Sequence, residues 1–296
     1  MAVWIENIPL PAGQPFRLLR WEGHSSELTL LTGGRPTIVQ GAGARWHSHP
    51  EMEFTIVTTG TGLRYVGDCT GPFTAPDCVL LGSGLPHCWV ETGEYSGYVL
   101  HFYFLPDHGV WRLGCEAHLH ALFAAARRGL RFTEAVAAEA LSLLERLGGA
   151  APLARAGLLL ELFGLLHGVA PRKSTPLSRS ECGSAPGSGV SPHLEAVVQW
   201  MLEHFHEPIT LVDALHRTGM SPATFVRQFK RHTGKTFVTF LNDARLTHAH
   251  QRLASSRRSV AEVAFESGFN SLSHFGALFR ARYGITPRQH RGTTVS

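Results

Sequence analysis

The stretch from Ile209 to Arg291 states one pattern twice, and that duplication limits what this half of the chain can become. In the first copy an apolar run from Ile209 to Leu215 leads to Gly219-Met220-Ser221, then to Phe225, Arg227, Phe229 and Lys230, and closes on Gly234-Lys235-Thr236. The second copy starts at Ser259, passes through Gly268-Phe269-Asn270-Ser271 to His274-Phe275 and Phe279-Arg280, and closes on Gly284-Ile285-Thr286. The offset is 49 residues at the first glycine and 50 from Phe225 to Phe275 and from Gly234 to Gly284, so the second turn holds one extra residue. Each copy predicts a short helix, a glycine turn and a second helix opened by a polar cap. That is the sequence form of a helix-turn-helix, whose second helix enters the DNA major groove.

Two such motifs joined by one long helix resemble the paired helix-turn-helix domain of the AraC/XylS transcription regulators. Asn270, His274-Phe275, Phe279-Arg280, Gly284, Thr286-Pro287 and Arg291 carry most of the resemblance. It implies binding to double-stranded promoter DNA, a homodimer, contact with RNA polymerase, and no catalytic step. Charge agrees with it. Residues 1–189 hold 14 Lys and Arg against 16 Asp and Glu, whereas 190–296 hold 13 against 7, so the excess of positive charge lies with the repeat. Nine of the 18 histidines lie there too and would add charge below neutral pH.

The first part of the chain has another character. From about 16 to 105, short apolar runs (Leu28–Leu31, Phe54–Thr58, Leu63–Val66, Val79–Leu81, Tyr98–Phe104) alternate with Gly and Pro turns, which predicts a β-sandwich or small barrel. Within it, Gly41, His47, His49, Glu53 and Gly60 form one spaced block, and Gly84, His87 and Trp89 a second. His47, His49 and Glu53 share parity, so on a regular strand they project to one face, although Pro50 would bend it. Three imidazoles and a carboxylate suit one divalent ion, Zn, Ni, Fe or Mn. The same four residues would otherwise line an effector pocket without metal, with Tyr65 and Trp89 as candidate ligand contacts. The first block resembles the first cupin motif at every defining position. The second is looser, with Gly82 in place of the usual Pro and Glu91 in place of the usual Asn. A cupin barrel is the common sensor of AraC-type regulators, and the resemblance implies that role here.

From Cys115 to His167 the period turns helical: Leu119, Leu122, Phe123 and Ala126 on one helix, then Val136, Ala137, Ala140, Leu144 and Leu147 behind a Thr133 cap. A third helix, from about Leu153, is apolar nearly all round. It needs cover, either from the barrel or from a second copy at a dimer interface, and the resemblance favours the latter. Pro171 to Pro192 reads as a linker. The N-terminal residues lack the basic and apolar segments of a signal peptide, and the apolar window from Ala156 to Leu166 is too short to span a bilayer. Five cysteines without paired spacing read as reduced thiols. These features predict a cytoplasmic protein with no membrane partner.

The expected architecture is α+β and multidomain: a cupin-like effector-sensing β-barrel over 1–112, a helical dimerisation segment over 113–170, a linker over 171–191, and an all-α double helix-turn-helix over 192–296. Phe225 and Phe229, four apart, must face inward, which leaves Ala223, Thr224, Arg227, Gln228 and Arg231 for DNA. In the second motif Ser271, Ser273 and His274 lie near the helix start, and Arg280 and Arg282 are candidates for phosphate, as are Lys235, Arg257, Arg258 and Arg288. Ala277 stands where the first motif has Arg227, which predicts weaker base discrimination there. The rival reading is a metal-dependent cupin enzyme fused to a DNA-binding tail.

Overall fold

A computed structural model describes residues 14–23, 27–32, 35–41, 43–91, 94–179 and 192–294. The described residues divide into two compact units, 14–69 with 73–179 and 192–294, to the second of which residues 70–72 are also assigned.

The N-terminal unit is built on antiparallel strands: β1 (Phe16–Gly23), β2 (Glu27–Leu30), β3 (Thr37–Gln40), β4 (Met52–Thr59), β5 (Thr61–Val66), β6 (Cys69–Thr74), β7 (Asp77–Leu81), β8 (His87–Glu91), β9 (Tyr95–Phe102), β10 (Leu130–Phe132) and β11 (Ser174–Pro176). They form an eight-stranded sheet in the order β11-β10-β7-β4-β9-β1-β2-β3 and a three-stranded sheet in the order β6-β5-β8. Alternation sorts the side chains into two cores. Leu18, Phe54, Ile56, Leu100 and Phe102 face outward, under the helices α1 (Glu116–Ala126), α2 (Glu134–Gly149) and α3 (Pro152–Lys173). Leu19, Trp21, Val57, Val66, Leu81, Trp89, Tyr95 and Val99 form the second core. The four described cysteines, Cys69, Cys78, Cys88 and Cys115, carry free thiols.

Gly82 has a local cause. A Cβ there would sit 2.8 Å from the Arg127 Cα, and its N–H bonds the Ala126 carbonyl at the end of α1, so the helix docks where a proline would clash and lack a donor.

Three expectations need correction here. The apolar third helix, for which the resemblance favoured a second copy as cover, packs Leu158, Leu159, Leu162, Phe163 and Leu166 into the unit's own core, with Leu159 and Leu162 only 4% and 0% exposed. Helices α1 and α2, together with strands of the barrel, therefore cover that face. The apolar window from Ala156 to Leu166 sits inside a 22-residue helix, whose Pro152–Ala170 segment is long and apolar enough to cross a membrane by length and composition. Length alone is a poor argument here, because Leu158, Leu159, Leu162, Phe163 and Leu166 of that helix are buried in the core. Finally, the linker expected from Pro171 begins later. Residues 171–173 finish α3, Ser174–Pro176 pair with Leu130–Phe132, and buried Ser178 donates to Asp68 Oδ1 at 2.8 Å. Its remainder, with Cys182, lies outside the described residues.

The C-terminal unit is all helical: α4 (Pro192–His204), α5 (Leu211–Thr218), α6 (Pro222–Thr233), α7 (Phe237–Ser255), α8 (Val260–Glu266), α9 (Leu272–Tyr283) and α10 (Pro287–Thr294). The repeat survives at the level of single hydrogen bonds. Thr210 with Asp213 and Ser259 with Glu262 both close capping boxes, in which each side chain satisfies the other residue's amide. Gly219 (φ 64°) and Gly268 (φ 86°) make the two turns, and Gly234 (φ 70°) and Gly284 (φ 77°) end the second helices, all in the left-handed region that favours glycine. Ser221 and Ser271 cap α6 and α9, and Pro222 takes the first helical position. Phe225 and Phe229 are buried against Phe237 and Phe240, and Phe275 and Phe279 against Phe269 and Leu253. Thr210→Ala and Ser259→Ala should each lower this unit's stability by about 1 kcal/mol, measurable as additive shifts in chemical unfolding of the two single variants and the double.

Candidate metal centre and nucleic-acid interface

The expected metal ligands come together, though not on one strand. His47 is held by a backbone bridge to His87, with N–H···O distances of 3.1 and 2.9 Å in the two directions. His49 follows it outside any strand, the chain turns at Pro50 and Glu51, and only Glu53 stands on β4. Pro50 has no N–H to give a ladder, so the shared-strand reading gives way to a crossing from the small sheet to the large one. The ligand atoms of His47, His49, Glu53 and His87 lie within 4.8 Å of one another, and all four residues are buried. His49 Nε2 and His87 Nε2 are 3.1 and 3.2 Å from Glu53 Oε2. Metal bonds of ~2.0–2.1 Å place neighbouring donors roughly 2.9–3.4 Å apart, so these spacings fit a common ion.

Proton placement fits as well. His47 Nδ1 lies 2.6 Å from the Arg45 carbonyl, His49 Nδ1 3.0 Å from the Glu51 carbonyl, and His87 Nδ1 2.7 Å from the Leu85 carbonyl. A carbonyl only accepts, so each Nδ1 carries the proton and each Nε2 of a neutral ring keeps its lone pair for the ion. Burial by itself raises the Glu53 carboxyl pKa. Where the rings are protonated, the charge of His87 and hydrogen bonds from His101, His49 and His87 outweigh it and hold Glu53 well below the usual carboxylate range; a bound ion would take the place of the Nε2 protons of His49 and His87.

His101, absent from the sequence-based set, approaches Glu53 Oε2 at 2.9 Å through its Nε2. The signal was a lone histidine inside the apolar run Tyr98–Phe104. Beside the cluster lies a cavity of ≈ 30 Å³ lined by Trp21, Leu28, Thr55, Trp89, Tyr95 and Val99, among others. That is room for about two waters. Among the described residues neither the Trp21 nor the Trp89 indole N–H has a hydrogen-bond partner, and both are buried. Trp89 lines the cavity, whereas Tyr65, buried on β5 opposite Cys88, is not among the residues that line it.

On α6 the exposed face consists of Ala223, Val226, Arg227, Lys230 and Arg231, with Thr224 and Gln228 half-buried. Sequence reasoning did not select Lys230 or Val226 for DNA, although Lys230 follows Arg227 by three and Val226 follows Ala223 by three, the spacing of one helix face. The Thr224 hydroxyl is engaged by Ser221 at 3.0 Å, and Ser271 accepts from the His274 amide, so both serve their caps. On α9 Leu272, Ser273, His274, Ala277, Arg280 and Ala281 are exposed. The long cations therefore concentrate on α6. Two expected phosphate contacts are otherwise employed: Arg282 and Lys235 both pair with Asp243 on α7. Arg258 pairs with Glu266, while Arg257, Arg280 and Arg288 remain exposed. Histidine adds less charge than its number suggests. Burial pushes His232, His248 and His250 down to about 4, so they stay neutral in mild acid.

Comparison with known proteins follows this division. Residues 35–103 match the family described as Cupin domain, and residues 215–293 the family described as Helix-turn-helix domain. The HTH-type transcriptional activator RhaS of Escherichia fergusonii is 36% identical over 123 residues, 42% of this chain and 42% of that protein. RhaS of Salmonella schwarzengrund is 37% identical over 98 residues, 33% of this chain and 35% of that protein. The chain thus spans less than half the length of the curated relatives it matches. Among solved structures, the DNA-binding domain of AdpA in complex with a target DNA is 36% identical, covering 34% of this chain and 90% of that one, with a TM-score of 0.33. A regulator with an AraC-type DNA-binding domain from Chromobacterium violaceum is 28% identical, covering 36% and 94%, with a TM-score of 0.33.

Proposed function

We propose that this chain, a cupin domain joined to an AraC-type helix-turn-helix domain, is a sequence-specific transcription regulator whose barrel senses a small ligand. The observation that carries the reading is the doubled motif: two recognition helices, each set by a capped entry, a glycine turn and a buried phenylalanine pair, in one basic unit. The 19-residue helix α7 between them is ~28 Å long at 1.5 Å per residue, the scale of one duplex turn. Arg227, exposed on α6, would read guanine, and Lys230, Arg231 and Arg280 would hold phosphates.

In the barrel, His47, His49, Glu53 and His87 would hold one divalent ion, which would supply a Lewis-acidic anchor for an effector. The tight cavity and its two indole donors favour a small effector rich in acceptor oxygens, of the size of a short carboxylate. A bulky effector such as a sugar would require the walls to part. Ligand binding there would shift promoter occupancy, in a cytoplasmic homodimer working beside RNA polymerase. No catalytic step is assigned to the site.

Two substitutions on α6 test the reading. Arg227→Ala should weaken the best operator by about 1–3 kcal/mol, tenfold or more, and relax preference at one base pair. Lys230→Ala should weaken all DNA alike and lower the salt slope by about one. Equal effects of both on specific and random DNA, measured by titration at several salt concentrations, would remove α6 from base readout.

A further inference from the structure

Arg17, His101 and Glu53 stand in one row across three neighbouring strands. Arg17 pairs with His101 between β1 and β9, and His101 with Glu53 between β9 and β4. They are 0%, 1% and 4% exposed. An arginine Nε always carries a proton and never accepts one. Its 2.9 Å bond to His101 Nδ1 therefore requires a lone pair on that nitrogen, and a neutral ring then carries its proton on Nε2. Nε2 donates that proton to Glu53 Oε2. His47, His49 and His87 are arranged the opposite way, with Nδ1 protonated against backbone carbonyls. Four imidazoles crowd one carboxylate, yet only three offer it a metal-binding edge.

We propose that Arg17 fixes the tautomer of His101, so that this fourth imidazole orients Glu53 as a hydrogen-bond donor and is kept out of the coordination shell of the ion. The inference rests on the metal reading of the cluster. Arg17 and His101 are positioning residues: they decide the ligand count and the direction of the Glu53 lone pairs without touching the ion. A ring of either tautomer would fit the same space, so the choice is made by the donor behind it.

Long-range ¹H–¹⁵N NMR of the full chain, labelled at histidine, reads each tautomer directly, before and after Zn²⁺. In the metal-free protein His101 should carry its proton on Nε2 alone, whereas the other three should each carry one on Nδ1, with or without a second on Nε2 facing Glu53. Added Zn²⁺ should shift the Nε2 signals of His47, His49 and His87 and leave that of His101. Arg17→Met should release His101 to the other tautomer and make its Nε2 respond to Zn²⁺, and Arg17→Lys, which keeps a donor, should restore the original state. A zinc-shifted His101 Nε2 in the unaltered protein, or an unchanged tautomer in Arg17→Met, would overturn the proposal. Should Arg17→Met not fold, His101→Gln and His101→Leu decide. His101→Gln keeps a donor and should hold Zn²⁺ as the unaltered protein does, and His101→Leu should bind about ten- to hundredfold more weakly. Both should preserve the visible bands of the Co²⁺ form. Band shifts, or equal losses of affinity in the two variants, would count against it. Failure of the metal reading is separable: no histidine would respond to Zn²⁺, while the metal-free spectrum would still report the Arg17–His101 bond.

Discussion

Phe279→Ala is expected to cost the C-terminal unit about 3–5 kcal/mol and to abolish operator binding. Phe279 is fully buried and packs on Phe275 at 5.5 Å, on Tyr283 at 4.7 Å and beside His250 and His290, so truncation opens a void where α7, α9 and α10 meet. Losses of that size are a large share of the whole stability of a small domain, commonly about 5–15 kcal/mol. The exposed Val226 is the control, since Val226→Ala on α6 should leave unfolding within about 0.5 kcal/mol of the parent. Denaturant unfolding of both variants, followed by DNA titration, checks the pair. A stable Phe279→Ala protein that still binds its operator would mean that the second motif does not depend on its aromatic core.

His87→Ala is expected to have the second large effect, on metal retention. Structural zinc sites supply ~10–16 kcal/mol, and one ligand of four represents roughly a quarter of that, about 2.5–4 kcal/mol, or on the order of a hundred- to a thousandfold in affinity. His87 also carries the backbone bridge to His47, which alanine keeps, so the loss should fall on the ion and not on the strands. Competition against a chelating dye measures it. Equal metal content in parent and variant would make the cluster a polar pocket wall without an ion.

How far the chain could be read in advance depended on the range of the interactions. The tandem motif was legible because its determinants are local: a cap three residues from its partner, a glycine at a left-handed turn, two phenylalanines four apart. The cluster of His47, His49, Glu53 and His87 was legible as a set of residue types, but its geometry was not. Shared parity suggested one strand, whereas Pro50 ends the pairing and the site bridges two sheets. His101 could be found only with the strand register in hand, because its partner lies 48 residues away. The same holds for Arg282, whose charge is taken by Asp243 39 residues earlier, and for the apolar face of α3, whose cover is set by tertiary packing. Long-range pairing decided each miss.

Selection of bound duplexes from a random pool by the full chain, at physiological salt, tests the central claim most directly. Enrichment is expected of a sequence with two contact blocks about 10 base pairs apart, bound roughly a thousandfold or more tighter than competitor DNA. A pool that stays random, with or without Zn²⁺ and short carboxylates, would contradict it.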